Sequence, residues 1–162
     1  MDDSIAARAR AEELWREAYT YQMNGELADA IALYQESIDT YATAEAHTFL
    51  GWCYSFLQRY EDAIVECLKA IEIDPAFGNP YNDIGAYYFE QDRYREAVPW
   101  LERATTAPRY EASHFPWMNL GRVYEKIGPW TEAVRCYRRA LEIEPNYRAA
   151  KDALRLLLAR LN

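Results

Sequence analysis

The sequence predicts an all-α fold, an α-solenoid of four stacked helix-turn-helix units closed by a C-terminal capping helix. Three observations carry this. A pattern of aromatic, small residue, alanine and proline recurs along the chain. Gly51 and Gly85 stand 34 residues apart, as do Ala63 and Ala97, while Gly85 to Gly121 and Ala97 to Ala133 are each 36. Turn formers punctuate the apolar stretches at Asn24-Gly25, Asp74-Pro75, Gly128-Pro129 and Glu144-Pro145. The chain then ends in a leucine-rich segment with basic residues on its opposite side.

The first helix is expected from Ser4, an N-cap type, to the turn at Asn24-Gly25, with its partner over 27–39. The second pair covers 44–57 and 60–73. It stops at Asp74-Pro75 because the residue before a proline is pushed out of the helical region. The third pair opens with Asn79 as cap and Pro80 at the first helical position, where a missing N–H does no harm. It runs to Gln91 and resumes over 94–106. The fourth starts at Ser113 or His114, breaks at Gly128-Pro129, and continues over 130–143 to Glu144-Pro145. The last helix covers 147–161. As one domain over 1–162, the units fall at about 11–43, 44–77, 78–113 and 114–146, followed by the cap over 147–161.

Two features break the period. The 36-residue spacing implies two extra residues around Arg109-Tyr110-Glu111-Ala112, and Pro99 sits well inside its helix. Such a proline removes one backbone hydrogen bond and bends the helix at a cost of about 3 kcal/mol. Both are expected to open or re-aim the surface between the third and fourth units. In the last helix Leu154, Leu156, Leu157, Leu158 and Leu161 form one side, and Arg148, Lys151, Arg155 and Arg160 the other. That is the composition of a cap, apolar toward the stack and polar outside.

A chain of 162 residues with 51% hydrophobic content can bury a core. Its net charge of −8, from 18 basic and 26 acidic residues, argues against nucleic-acid binding, which needs a basic footprint. The charge is uneven: residues 1–46 hold three arginines against ten acids, and 109–162 hold ten basic residues against six acids. Cys53, Cys67 and Cys136 have no close spacing and imply no disulfide framework. They suit a reducing compartment. The start Met-Asp-Asp-Ser-Ile is acidic and unlike a signal peptide, and no run approaches the roughly 18 apolar residues of a membrane span. The expectation is a cytoplasmic protein with no membrane partner.

These residues resemble the tetratricopeptide repeat family. The fourth copy carries the pattern throughout, with Trp117, Leu120-Gly121, Tyr124, Ala133, Tyr137, Ala140 and Pro145. The second matches through Leu50-Gly51, Tyr54, Tyr60, Ala63, Ala70 and Pro75, with Cys67 in place of the aromatic. The third has Tyr81, Ile84-Gly85, Tyr88, Tyr94, Ala97 and Ala104, with Pro108 one place early. The first is degenerate, keeping Leu14, Ala18, Tyr21, Gly25, Ala30 and Tyr34 but no closing proline. The resemblance implies a right-handed α-solenoid. Glycine and alanine would let paired helices approach, and aromatics such as Trp117, Tyr124 and Tyr137 would fill the wider gaps.

In this family the first helices of the pairs line a concave face, which implies a groove with these residues. The first unit contributes Trp15, Tyr19 and Met23. The second contributes Thr48, Trp52, Ser55 and Phe56, and the third Asn79, Asn82, Ala86 and Phe89. The fourth contributes Phe115, Met118, Arg122, Glu125 and Lys126. Such a groove is apolar toward the first two units and polar to basic toward the fourth. It suits an extended or helical peptide with apolar anchors and an acidic end near Arg122 and Lys126. Tight packing of Trp15, Trp52 and Phe56 against neighbouring helices is an equally open reading. The lysine and asparagine set with which some members clamp a C-terminal carboxylate is absent, although Asn119 and Arg122 could still hold one.

Nothing in the sequence assembles a catalytic, cofactor or metal site. His47 and His114 are far apart, read as helix-start residues, and lack a second ligand at metal spacing. There is no glycine-rich phosphate loop, and Glu12-Glu13, Glu61-Asp62 and Glu142/Glu144 read as exposed charge. The expected function is a non-enzymatic adaptor for another protein or peptide. One alternative is a scaffold whose subunits form a homo-oligomer by end-to-end stacking, acidic end on basic end. The other is an accessory chaperone of bacterial secretion or pilus assembly. The lengthened loop Ala107-Pro108-Arg109-Tyr110 resembles units of type IV pilus assembly proteins, which are usually anchored through an N-terminal cysteine that is missing here.

Overall fold

Helices form where the turn residues leave room for them. The computed structural model describes residues 3–161; residues 1, 2 and 162, the ends of the expected span, lie outside the described residues. Among the described residues there are nine α-helices and no strand. They are α1 (Asp3–Met23), α2 (Leu27–Thr40), α3 (Ala44–Phe56), α4 (Tyr60–Ile73), α5 (Asn79–Glu90), α6 (Tyr94–Thr105), α7 (His114–Ile127), α8 (Trp130–Ile143) and α9 (Arg148–Leu161). Two expected caps are corrected. Ser4 lies inside α1, and Asn79 is the first residue of α5, whose cap is Gly78. Pro80 is still within the first helical turn, where no N–H is needed. A working cap is Thr43, whose side chain accepts from the Ala46 N–H at 3.1 Å.

The chain divides into two compact units, Met1–Pro75 and Ala76–Asn162. In the first, α1 pairs with α2 and α3 with α4, and α2 packs on α3. In the second, α5 pairs with α6 and α7 with α8, α6 packs on α7, and α9 packs on α8.

The turn inside each pair is a repeated device. Gly25, Gln58 and Asp92 all have positive φ, at 81°, 58° and 57°. In each turn the next N–H reaches back five residues: Glu26 to the Tyr21 carbonyl at 2.9 Å, Arg59 to Tyr54 at 3.0 Å and Arg93 to Tyr88 at 2.9 Å. This is a Schellman closure, which satisfies carbonyls left open at a helix end. In the second and third pairs the residue that follows is an arginine, which fixes the second helix. Arg59 lies 4.5 Å over the Tyr54 ring and donates to Asp62 at 2.8 Å. Arg93 lies 4.4 Å over Tyr88 and donates to Glu96 at 2.8 Å. The fourth pair departs from this device because Pro129 has no N–H to donate.

Close approach within the pairs explains the recurring small residue. A Cβ on Gly121 would lie 2.3 Å from the Tyr137 ring, and one on Gly85 would lie 2.5 Å from Leu101. In the first pair Ala18 holds the corresponding place and is fully buried. The second-helix alanines Ala63, Ala97, Ala133 and Ala140 are fully buried as well. Trp117 and Tyr124 pack on a cluster of Ala97, Leu101, Leu120, Val123 and Cys136. All three cysteines are free and buried. Burial pushes the Cys53 thiol up to about 12 and that of Cys136 up to about 11.

Three local features bear on the expectations. The two extra residues tie one loop to another, and a cleft there is lined by Phe77, Asn79, Arg109, Tyr110, Glu111 and Ala112. Arg109 forms a parallel bridge with Phe77, with Gly78 N–H to the Arg109 carbonyl and Arg109 N–H to the Ala76 carbonyl, both at 3.0 Å. Tyr110 packs directly on Gly78. Helix α6 continues through Pro99, and both Pro99 and Arg95, whose carbonyl loses its helical donor, are exposed residues. In α9, Leu157 is buried and Leu154 and Leu158 pack on Ala133, Val134 and Tyr137. Leu156, 57% exposed, and Leu161 lie outside the buried side. At 100° per residue, Leu156 is off the stripe of 154, 157 and 158. Among the described residues, no helix is long and apolar enough to cross a membrane.

Candidate functional site

The first unit presents a ledge of aromatic rings built by four-residue spacing on two helices. Trp15 and Tyr19 share one face of α1, and Trp52 and Phe56 share one face of α3. Trp15 and Tyr19 stack at 5.8 Å and 11°, and Trp52 and Phe56 at 5.7 Å and 29°. Phe49 stands edge-on between the two stacks, 5.2 Å from Trp15, 5.7 Å from Tyr19 and 5.7 Å from Trp52. Below it the Tyr34 ring lies at 6.2 Å, and the Tyr34 hydroxyl donates to Gln22 at 2.8 Å. The outer rings stay open to solvent: Tyr19 is 39% exposed, Trp52 38% and Phe56 57%, with Met23 at 49% one turn beyond Tyr19.

Not every expected groove residue joins the ledge. Thr48 is buried, its hydroxyl donating to the Ala44 carbonyl at 2.7 Å, and the Ser55 hydroxyl donates to the Trp52 carbonyl at 2.7 Å. Phe49 was not among the expected residues, although it lies three residues before Trp52 and so on the same side of α3. A cleft beside the ledge is lined by Arg8, Ala11, Glu12, Trp15, Thr43 and Glu45. The Trp15 indole N–H is buried without a hydrogen-bond acceptor.

In the second unit α5 and α7 carry a polar face already engaged with itself. Asn82 is buried and accepts from Asn119 at 2.9 Å. Arg122 lies 4.2 Å over the Phe89 ring and 3.8 Å from the Glu90 carboxylate. Lys126 is 5.9 Å from the Tyr94 ring centre, and Glu125 accepts from the Tyr137 hydroxyl at 2.5 Å. Phe89, Glu90, Tyr94, Arg122 and Lys126 line an open cleft of about 410 Å³. Phe115 is exposed and sits against His114 and Tyr147, whereas Met118 packs on the Ala133 and Val134 cluster. Asn79 and Ala86 are half-buried. Beside Asn82, burial pushes the Asp83 carboxyl up to about 7 despite a hydrogen bond with Asn82.

One buried polar cluster escaped sequence reasoning. His47, in the first turn of α3, is buried, and its Nδ1 lies 2.6 Å from Glu66 Oε2. The other Glu66 oxygen accepts from Lys69 at 2.7 Å. Burial drives the Glu66 carboxyl upward, but the hydrogen bonds and charges of His47 and Lys69 outweigh it and hold the group below the usual glutamate range. The two residues are 19 apart in sequence, a separation that only the α3–α4 pairing makes meaningful. Glu12, Glu13, Glu61 and Asp62 are exposed. Among the described residues, no group of three His, Cys, Asp or Glu could hold a metal ion.

Family models for the tetratricopeptide repeat match residues 44–77, 81–106 and 115–147, together more than half of the chain. The chain belongs to the tetratricopeptide repeat family. It is 32% identical over 104 residues to anaphase-promoting complex subunit 3 of Schizosaccharomyces pombe, covering 63% of this chain and 15% of that protein. It is 30% identical over 118 residues to the protein ycf37 of Guillardia theta, covering 69% of this chain and 65% of the other. The chain thus spans less than two thirds of the length of these curated relatives. Among solved structures, PilF of Pseudomonas aeruginosa matches with a TM-score of 0.88 at 22% identity, over 97% of this chain and 70% of the other. That likeness shows the fold alone, the all-α class of repeat solenoids.

Proposed function

We propose that this tetratricopeptide protein is a non-enzymatic adaptor that holds a segment of another polypeptide against the aromatic ledge of α1 and α3. The repeats support a protein–protein interaction scaffold, and one relative carries the name of a subunit of a larger complex. The observation that carries the reading is the contiguous set of half-open rings at Tyr19, Trp52 and Phe56, held in place by Phe49 and Trp15. Large rings locked by neighbours bury much area on binding at little conformational cost, which is why aromatics concentrate in binding hot spots. The Phe89, Arg122 and Lys126 face of the second unit, with exposed Phe115, is the second surface proposed for partner contact, while Asn82 and Met118 support it from within. The three free, buried cysteines suit a reducing compartment, which supports a cytoplasmic site of action.

The test is capture from extracts of the native host, analysed by mass spectrometry, with wild type and Trp52→Ala/Phe56→Ala as baits. Loss of specific partners from a variant with unchanged helical content supports the reading; identical capture refutes it. An accessory role in secretion or pilus assembly is the second reading. It is favoured by the lengthened loop at Arg109 and by the fold likeness over 97% of this chain, and the identity of the captured partners decides it. End-to-end stacking remains the scaffold alternative, for which sedimentation at low and high salt is the measurement.

A further inference from the structure

Elsewhere in the chain, rings are covered by cations from the chain itself. Arg59 covers Tyr54, Arg93 covers Tyr88, Arg122 covers Phe89 and Arg135 covers Trp117, at 4.2 to 5.8 Å from the ring centres. The ledge is different. Among the described residues, no arginine or lysine lies over Trp15, Tyr19, Phe49, Trp52 or Phe56, although three of these rings are more than a third exposed.

The unit that carries the ledge is also strongly acidic. Residues 1–75 contain 15 Asp and Glu against five Lys and Arg, a net of −10, while residues 76–162 are net +2. Most of the few cations of the first unit are already in ion pairs: Arg10 with Glu13, Arg16 with Glu12, Arg59 with Asp62 and Lys69 with Glu66. The cleft beside Trp15 adds Glu12 and Glu45 to its wall, with Arg8 as its one basic group.

We infer that the ledge takes a cationic peptide, one that lays arginine or lysine side chains on the exposed parts of the Tyr19, Trp52 and Phe56 rings while its apolar side chains pack beside them. A ring face is the negative end of the aromatic quadrupole and attracts a cation within about 6 Å, best when part of the water is removed. The field of a unit at −10 concentrates such a peptide and speeds its arrival. Arginine is the better fit, because its planar group stacks on a ring and sheds water more readily than an ammonium. This inference rests on the proposed binding reading and specifies its ligand.

The experiment is a random dodecamer display library selected on the wild-type protein and counter-selected on Trp52→Ala/Phe56→Ala. Both residues are exposed, so the variant is expected to keep its fold, and circular dichroism checks this. Enrichment of arginine or lysine next to apolar residues is the expected result. The best peptide should lose roughly three- to thirtyfold in affinity when its basic residues become glutamine. It should lose a comparable factor against Trp52→Leu, which keeps apolar bulk but removes the ring face. Selected peptides that need Trp52 yet are neutral or acidic overturn the cationic ligand and leave the ledge as a binding surface. No selected peptide that depends on Trp52 or Phe56 overturns both.

Discussion

Replacing Gly121 with alanine tests the close approach of α7 and α8 that the repeat pattern encodes. A Cβ there would stand 2.3, 2.6 and 2.8 Å from three ring atoms of Tyr137, well inside contact distance. The ring cannot swing aside freely, because Tyr137 is fully buried and its hydroxyl is held by Glu125 at 2.5 Å. Overpacking of this kind costs about 1–3 kcal/mol, and loss of the hydroxyl bond about 1 kcal/mol more. Against this stands a gain of about 1 kcal/mol from replacing a helical glycine with alanine. The expected net loss is about 1–3 kcal/mol, read in urea as a lower midpoint at unchanged slope. In a Tyr137→Leu background the same substitution should cost less, since the obstructing ring is gone. A Gly121→Ala protein more stable than wild type by the propensity value alone would refute the close-approach account.

Further outcomes follow from the same geometry. Gln58→Gly should stabilise by about 1 kcal/mol, since its backbone lies in the left-handed region, and Asp92→Gly should gain less because it also removes the acceptor of the Tyr94 hydroxyl; thermal unfolding checks both. Leu157→Ala in α9 should cost about 2–5 kcal/mol, while Leu156→Ala, on the exposed side, should leave the urea midpoint nearly unchanged. Glu66 has a lowered folded pKa, so its stabilisation is present above about pH 4.5 and lost as pH falls through the folded value. The deficit of Glu66→Gln relative to wild type should therefore shrink on titration from pH 6 to pH 3. Asp83 has the opposite sign: its folded value near 7 lies above the ordinary 3.8, so ionisation costs stability as pH rises between the two. Asp83→Asn should raise the melting temperature more at pH 8 than at pH 5.

Helix positions were legible because glycine and proline act on the backbone locally. Asp74-Pro75 and Glu144-Pro145 end helices wherever they occur, and α4 and α8 have the bounds that the sequence indicates. Caps were less legible. Ser4 and Asn79 have the chemistry of a cap, yet each lies inside its helix, Asn79 directly after the cap Gly78. The lengthened loop was visible as two added residues. Its bridge to Phe77 was not, since pairing depends on which loop lies alongside. For the surface, spacing placed Trp15, Tyr19, Trp52 and Phe56 on shared helix faces. It could not tell that Thr48 bonds inward to Ala44, or that Phe49 locks both ring pairs. The His47–Glu66 contact needs two helices folded against each other before its members become neighbours.

Site-specific photocrosslinking reports most directly on where another polypeptide touches this chain. A benzophenone amino acid is placed at Phe56 or Tyr19 on the ledge, and at Leu156 on the exposed side of α9 as the control. After irradiation in the native host, the ledge positions should yield discrete adducts with another polypeptide, and the α9 position should yield none. Adducts from Leu156 with none from Phe56 or Tyr19 would contradict the account.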